Sequence, residues 1–288
     1  MKSREIFPCC LTIAGSDSGG NAGVQADLRA FHSYGIHGCT VFAALTAQNP
    51  FGVSAIHAVP ADFVAAQLDA VLGVYDIRAL KTGMLADPEA IEAIAARLAK
   101  HPGIAKVIDP VMIATSGARL VTEDAMSVIK TRLLPLATLI TPNLPEAEAL
   151  AGVTGAGRAA DAVRARELAV RLADMYGCAV LVKGGHGANS AAVDVLYSPA
   201  SGRTQDGGPR AADFREFAAP WIEHPVSTHG TGCSLAAALA AELALGRSVS
   251  AAVEGAKEYV HKAIAGSYFV GRDCGVLGFV NGIISRYE

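Results

Sequence analysis

The feature that most restricts the fold is an alternation of short β-type runs with longer segments of helical periodicity along nearly the whole chain. Residues 9–14 (CCLTIA) predict a buried strand that stops at Gly15, and a glycine-rich loop then leads to an amphipathic helix over 24–34. Such alternation is typical of a parallel sheet with helices packed on both of its faces. We therefore predict an α/β fold with a mostly parallel central sheet.

The remaining elements follow the same pattern to the end of the chain. Strands are predicted over 39–45, 79–81, 106–108, 138–140 and 179–182, and an antiparallel pair over 193–197 and 214–218. Helices are predicted over 62–72, 88–98, 159–176, 234–245 and 249–269. Because no repeat of 20–50 residues and no linker interrupts the pattern, we predict one domain over residues 1–288.

Composition excludes several classes of protein. Hydrophobic residues make up 51% of the chain and charged residues 18%, which excludes a globally disordered chain. The net charge of −3 and the lack of a dense Lys/Arg run argue against a nucleic-acid partner. No apolar run is long enough for a signal peptide or a membrane span. We therefore expect a cytoplasmic enzyme with no nucleic-acid or membrane partner.

The cysteines fit the same expectation. They stand at positions 9, 10, 39, 178, 233 and 274, with no CxxC among them. Their spacing matches no zinc-ligand pattern, so they are interpreted as reduced thiols of a cytosolic protein, most of them in the core.

Polar residues follow several of the predicted strands. Gly15-Ser16-Asp17 follows the first strand, Asp109 ends a central one, Asn143 and Glu146 come after the next, and Lys183 after the one beyond. A single aspartate in such a place is usually a turn residue or a helix cap. In open α/β sheets, however, ligands bind beyond the carboxyl ends of the strands, so the recurrence favours a site there.

The strongest local signal is HGTGC (229–233), followed directly by an Ala/Leu-rich helix. Gly230 and Gly232 permit a tight turn, and the helix beyond them presents unbonded amides and the positive end of its dipole. This arrangement suits phosphate or a developing negative charge, although the same residues could form an ordinary helix start. Neither a P-loop nor a GxGxxG after the first strand occurs, which argues against P-loop enzymes and dinucleotide dehydrogenases.

The chemistry of these residues fits phosphoryl transfer. Cys233, in the first turn of the helix, is expected to have a lowered pKa and to act as a general base, although a small core residue is the alternative. Asp109 and Glu146 are candidate Mg²⁺ ligands, and Glu146 could instead favour a helix start. Lys183 can place a positive charge among phosphates.

Seven motifs in order resemble one family, the hydroxymethylpyrimidine/phosphomethylpyrimidine kinases of the ribokinase-like superfamily. They are AGSDSGGNAGVQADL (14–28), LTAQN (45–49), KTGML (81–85), IDPVM (108–112), LITPNLPEA (139–147), VKGGH (182–186) and HGTGC (229–233). The resemblance covers about residues 10–270. It implies a ribokinase-like kinase that uses ATP and Mg²⁺ and that forms a homodimer.

The resemblance also implies a substrate pocket. Gln48 corresponds to the family's pyrimidine-reading residue, since its side-chain amide can both donate to and accept from a ring edge. Gly15, Asp27, Met84 and Val111 correspond to other residues that line the pocket, with Met84 as an apolar wall.

The remaining site residues are carried over in the same way. Asp109 and Glu146 correspond to the magnesium region, and Asn143, Thr231 and Lys183 to the ATP-binding residues. The catalytic group then consists of Cys233 and Lys183 with Gly230 and Gly232. Cys233 corresponds to the catalytic base, at a position where pyridoxal and sugar kinases typically carry aspartate.

The resemblance implies two successive phosphorylations, of 4-amino-5-hydroxymethyl-2-methylpyrimidine and then of its monophosphate, for thiamine diphosphate synthesis. A pyridoxal kinase is the main alternative, because its substrate is also a flat ring with a hydroxymethyl group. A catalytically silent pyrimidine-binding protein is another, which the presence together of Asp109, Glu146, Lys183 and Cys233 disfavours.

Overall fold

The computed structural model describes residues 6–112, 121–153, 161–184, 191–200 and 212–278. In these ranges nine strands form the central sheet. They are β1 (Cys9–Asp17), β2 (His37–Asn49), β3 (Gly52–Ala58), β4 (Ile77–Thr82), β5 (Ala105–Ile108), β6 (Leu139–Ile140), β7 (Ala179–Val182), β8 (Ala191–Ser198) and β9 (Asp213–Pro220).

The order of the strands across the sheet is β3-β2-β1-β4-β5-β6-β7-β8-β9. The six strands from β2 to β7 in this order pair in parallel. β3 at one edge and β8 and β9 at the other pair antiparallel. The prediction of a mostly parallel α/β sheet is therefore confirmed, including the antiparallel pair near its end.

Eight α-helices are described. They are α1 (Gly23–Ser33), α2 (Ala61–Leu72), α3 (Pro88–Leu98), α4 (Glu123–Val128), α5 (Leu144–Ala151), α6 (Asp161–Tyr176), α7 (Thr231–Ala244) and α8 (Val249–Ala265). A π-helical turn (Ile129–Leu133) and a 3₁₀ turn (Leu134–Leu136) continue α4. A short hairpin, β10 (Tyr268–Phe269) with β11 (Gly275–Val276), follows α8. None of the described helices has the length and apolar character that a bilayer span requires.

Two apolar layers cover the faces of the sheet. One contains buried residues of α2, α3, α4, α5 and α6, and the other contains those of α1, α7 and α8. Successive side chains of β1 point to opposite faces of the sheet, so this strand contributes to both layers. Leu11 and Ile13 belong to the first layer and Cys10 to the second. α7 is buried through most of its length, and its many alanines let it pack closely against β4 and β5.

The structure differs from the predicted elements mainly at their ends. β1 runs three residues further than predicted because it pairs with β2 as far as Asp17 and Thr46. β2 runs four residues further than predicted, to Asn49, because its end also pairs with β3. β3 was not predicted, because most of this edge strand is exposed and lacks an apolar pattern. The helix predicted over 249–269 ends at Ala265, where Gly266 forms its C-cap. Residues 159–160 and the loop over 201–210 lie outside the described residues.

Candidate active site

The amino end of α7 forms an anion-binding turn at the carboxyl edge of the sheet. Gly230 has a left-handed φ of +88° and precedes the first helical residue, Thr231. A Cβ atom on Gly230 would collide with the carbonyl oxygen of Asn21, so only glycine lets the two loops approach this closely. The amides of Gly232 and Cys233 lie in the first turn, where a helix has no acceptors of its own, and can therefore bind an anion.

A lysine–aspartate pair lies directly beneath this turn. Lys183 Nζ is 2.9 Å from Asp109 Oδ1, and Thr141 Oγ1 donates to the same oxygen at 3.1 Å. A Cβ atom on Gly232 would lie 3.8 Å from Lys183 Nζ and 3.9 Å from Asp109 Oδ2. Burial opposes the charge of Lys183, but Asp109 and Glu146 outweigh it and raise the pKa of Lys183, so the lysine stays cationic.

Asn143 and Glu146 form a capping box at the start of α5. The Asn143 amide donates to Glu146 Oε2 and the Glu146 amide donates to Asn143 Oδ1, both at 2.8 Å. The alternative that Glu146 favours a helix start is thus confirmed. Burial raises the pKa of this carboxyl, Lys183 opposes the shift and Asp109 adds to it. Glu146 therefore also belongs to the electrostatic environment of the Lys183–Asp109 pair.

Cys233 lies in the first turn of α7, as expected, but the prediction of a lowered pKa is wrong. Burial raises the pKa of the Cys233 thiol, while Lys81 lowers it and Asp27 and Asp109 raise it again. The backbone amide of Gly23, the first residue of α1, also favours the thiolate. Because burial outweighs these effects and that of the helix terminus, the thiol is protonated near neutral pH.

Asp27 forms a buried ion pair with Lys81, and the expectation that it also lines the substrate pocket stays a prediction. The side chains of Asp27 and Lys81 are both fully buried, and Lys81 Nζ lies 2.9 Å from each carboxylate oxygen. Thr12 Oγ1 donates to Asp27 Oδ2 at 2.6 Å. Burial opposes the charge of Lys81, but Asp27 outweighs it and raises the pKa of the lysine. Both carboxylate oxygens of Asp27 therefore accept hydrogen bonds from Lys81 or Thr12.

Gln48, Gly15 and Met84 lie on the other side of the site. Ser18 Oγ bonds to both the backbone carbonyl and the amide of Gln48 at 2.8 Å, which fixes the end of β2. Thr46 Oγ1 lies 3.1 Å from Gln48 Oε1 and orients the side-chain amide. A Cβ atom on Gly15 would lie 2.6 Å from Met84 Cε, so Met84 fills the space that the glycine leaves.

Val111 lies at the carboxyl end of β5, two residues beyond Asp109. Its amide donates to the Asp109 carbonyl at 2.9 Å, and the residue is half-buried. The two last residues of the VKGGH motif, Gly185 and His186, lie outside the described residues.

Asp17 joins the two halves of the site, a role that the sequence analysis did not assign to it. Its carboxylate accepts from the amides of Gly19, Asn21 and Ala22 at 2.8, 2.9 and 2.8 Å, and His229 Nε2 lies 3.8 Å from Oδ2. Burial opposes the carboxylate, but His229 and these amides lower the pKa of Asp17. Its position after the first strand was the available signal.

The fold thus brings together most of the residues that the sequence singled out. One part holds the amides of α7, the Lys183 cation, the Asp109 and Glu146 carboxyl groups and the Cys233 thiol. The other part, around Gln48, adjoins it through the loop that Asp17 organises. The first part suits the binding and transfer of a phosphoryl group, and the second suits a flat polar ring.

Comparisons with known proteins agree with this chemistry. Residues 17–278 match the family model described as phosphomethylpyrimidine kinase. The chain is 43% identical to the hydroxymethylpyrimidine/phosphomethylpyrimidine kinase of Haemophilus influenzae over 92% of its own length and 94% of that protein. It is 44% identical to the thiamine biosynthesis bifunctional protein ThiED of Geobacter sulfurreducens, over 96% of its own length and 54% of that longer protein.

Solved structures show the same fold. The crystal structure of phosphomethylpyrimidine kinase from Clostridium difficile is 35% identical, with a TM-score of 0.74 over 90% of this chain and 100% of that one. An ADP complex of Bacillus subtilis pyridoxal kinase is 33% identical, with a TM-score of 0.80 over 94% of this chain and 97% of that one. The chain has the ribokinase-like fold and belongs to the phosphomethylpyrimidine kinase family.

Proposed function

We propose that this protein transfers the γ-phosphoryl group of ATP to the hydroxymethyl group of 4-amino-5-hydroxymethyl-2-methylpyrimidine and then to the resulting monophosphate. The product would be the pyrimidine diphosphate used for thiamine diphosphate synthesis. The observation that carries the proposal is the position of the Lys183–Asp109 pair beneath the first turn of α7, next to Cys233. Membership of a kinase family supports ATP as the phosphoryl donor.

The transferring phosphoryl group would bind at the amino end of α7. There the amides of Gly232 and Cys233 can donate to its oxygens, with Gly230 and Thr231 shaping the turn. Lys183 would add a positive charge from below. These fixed donors stabilise negative charge as it develops, which is the main task of a phosphoryl-transfer site.

Cys233 would take the proton of the substrate hydroxyl as its oxygen attacks phosphorus. Because burial raises the pKa of the Cys233 thiol, the reactive thiolate is a minor form at neutral pH. Lys81 and the Gly23 amide favour that form and so support the role. The second step has less need of a base, since a phosphate monoester is already anionic near neutral pH.

Two carboxyl groups fit a hydrated Mg²⁺ ion. Asp109 Oδ2 points toward the first turn of α7, while Oδ1 is bonded to Lys183 and Thr141. The charges of Lys183 and Asp109 also act on Glu146. Because Mg²⁺ keeps several of its waters, these two residues would hold it mainly through water, with Asn143 close to the nucleotide phosphates. The bound ion would neutralise charge on those phosphates.

The substrate ring would bind on the Gln48 side. The Gln48 amide can read a ring edge that both donates and accepts, with Gly15, Met84 and Val111 as the surrounding surface. Asp27 would complete this surface and also hold Lys81 in its charged form.

Pyridoxal phosphorylation is the second candidate, favoured by the TM-score of 0.80 to a pyridoxal kinase. The thiol of Cys233, at a position where the superfamily's pyridoxal kinases typically carry aspartate, supports the pyrimidine instead.

We also propose that the whole chain is one kinase domain and that the protein is a cytoplasmic homodimer.

Incubation of the purified protein with the hydroxymethylpyrimidine, ATP and Mg²⁺ tests the proposal, with mass spectrometry to detect mono- and diphosphate products. A parallel incubation with pyridoxal gives the relative kcat/KM. Formation of both pyrimidine phosphates at the higher kcat/KM is expected. A higher value for pyridoxal would support the second candidate, and no ring-dependent use of ATP would contradict both.

A further inference from the structure

Cys9, His37 and Cys39 lie together at the amino edge of the sheet, opposite the candidate active site. Among the described residues, their two sulfurs and an imidazole nitrogen form a group in which all three atoms lie within 4.8 Å of one another. Cys9 pairs with His37 and Leu11 with Cys39, so positions 9, 37 and 39 project from the same face. We infer that these three side chains bind a soft divalent metal ion, zinc above all, and that the ion joins β1 to β2.

The set of ligands suits zinc. Two thiolates and one imidazole are ligands that Zn²⁺ prefers, at about 2.3 Å from sulfur and about 2.0 Å from nitrogen. In a tetrahedron these bond lengths separate the ligand atoms by about 3.5–3.8 Å. The present separations need to shrink by about 1.3 Å at most, which small side-chain rotations supply.

The surroundings give each ligand a distinct place. Cys9 and Cys39 are 6% and 7% exposed, so the sulfurs approach from inside the protein. His37 is exposed, and its ring stacks on that of Tyr75, with centroids 5.7 Å apart and an interplanar angle of 14°. Because His37 is exposed, a water molecule would supply the fourth ligand from that side. The charge of Asp76, felt at the Cys9 thiol, favours a cation nearby.

The spacing of cysteines and histidines along the sequence does not indicate this site, because one ligand comes from β1 and two come from β2. Two other interpretations exist: packing of two small thiols, and a disulfide between them. Zn²⁺ binds thiolates and not thiols. Metal binding would therefore release protons, and affinity would increase with pH.

The role of the metal would be structural. Cys9 lies six residues before Gly15 on the same strand, or about 20 Å away at the rise of a β-strand. The ion therefore cannot touch the reacting groups. It would clamp the amino ends of the first parallel strand pair, and so stabilise the folded protein without entering the reaction.

The test uses the full-length protein, stripped with a chelator under reducing conditions and then titrated with Zn²⁺. We expect one tightly bound zinc per chain, measured by elemental analysis after gel filtration. At zinc about 100-fold above Kd, the Tm should rise by about 5 °C or more. Substitution of Co²⁺ should give thiolate-to-cobalt charge-transfer absorption and intense visible bands of a tetrahedral site.

Two variants probe the ligands. His37→Ala removes an exposed ring and should fold normally, yet zinc affinity should fall by more than about 100-fold, since even outer-shell changes cost 10–100-fold. Cys39→Ser should lose the cobalt charge-transfer band. His57→Ala, another exposed histidine, and Cys274→Ser, a half-buried thiol, are the matched controls and should retain full binding.

Three results would overturn the inference. The wild-type chain could bind no zinc, or His37→Ala could retain as much zinc as His57→Ala, which would indicate an adventitious ion. Intact mass and peptide mapping could show a Cys9–Cys39 disulfide in protein isolated without reductant.

Discussion

Lys183 reaches across a strand to pair with Asp109: its Nζ lies 2.9 Å from Asp109 Oδ1, although the two residues follow β7 and β5, with β6 between them. Thr141, after β6, bonds to the same oxygen and completes a bridge over three carboxyl ends. Because α7 begins directly above the pair, the bridge sets the position of the cation relative to the anion-binding turn.

Replacement of this cation should disable both phosphorylations. In Lys183→Met the phosphates lose a fixed positive charge, and kcat/KM should fall by about 10²–10³-fold for the alcohol and for the monophosphate. Steady-state kinetics with each substrate measure this loss. Lys262→Met is the control, since Lys262 is an exposed lysine paired with Glu258, and its activity should stay within about twofold. A loss confined to one substrate would contradict the role.

The Cys233 thiol should give the first step a pH dependence that the second step lacks. Its raised pKa means that the thiolate grows with increasing pH, so kcat/KM for the alcohol should rise by up to about tenfold per pH unit between pH 6 and 8. The monophosphate, whose second pKa is about 6, should show a flatter profile over pH 7–8.

Cys233→Ala checks the assignment. It should flatten the profile of the alcohol reaction and slow that step more than the second step, whereas Cys274→Ser should leave both profiles unchanged. Equal losses in the two steps would exclude Cys233 as a base.

Comparison of alanine variants at Gly230 and Gly246 distinguishes the effect of backbone strain from the effect of a steric collision. Both have positive φ, +88° and +82°, but a Cβ atom on Gly246 meets open space while one on Gly230 meets the Asn21 carbonyl. Gly246→Ala should cost about 1 kcal/mol of unfolding free energy and keep full activity. Gly230→Ala should also lower kcat by about 100-fold, because the turn moves away from its partners. Similar activities in the two variants would refute this account.

The part of the site that lies at the carboxyl ends of the strands could be predicted from the sequence. Asp109 and Lys183 follow two parallel strands that are separated by one other strand. Because the carboxyl ends of parallel strands meet at one edge of the sheet, their proximity was expected. The raised pKa of Cys233 was not predictable, because burial depends on how α1 and the sheet enclose α7. The Asp27–Lys81 pair was missed because its members are 54 residues apart in the chain.

Asp194 should position Lys183 through the backbone of the next residue, Gly184. It is buried on β8, its Oδ1 accepts from the Gly184 amide at 2.7 Å, and its Oδ2 lies 2.6 Å from Lys257 Nζ. Asp194→Ala frees the backbone next to Lys183, so KM for ATP should rise by about tenfold with a smaller change in kcat. Asp194→Asn keeps an acceptor for Gly184 and should restore KM. Failure of asparagine to rescue, at equal thermal stability, would argue against positioning.

The last prediction concerns the ion pair of Lys81 and Asp27, whose side chains have no exposed surface. Lys81→Met leaves a buried carboxylate without its cation and should lower the free energy of unfolding by about 3–5 kcal/mol. The double variant Lys81→Met/Asp27→Asn removes both charges, keeps an acceptor for Thr12, and should recover much of that loss.

The same two variants test how the ion pair influences the pKa of Cys233, measured as the pH dependence of thiol alkylation. Because Lys81 lowers and Asp27 raises the pKa of that thiol, the single variant should raise the pKa further, while the double variant should leave it close to the wild-type value. If Lys81→Met were as stable as the wild type and alkylated with the same profile, the pair would carry no charge, and Lys81 could not support a thiolate at Cys233.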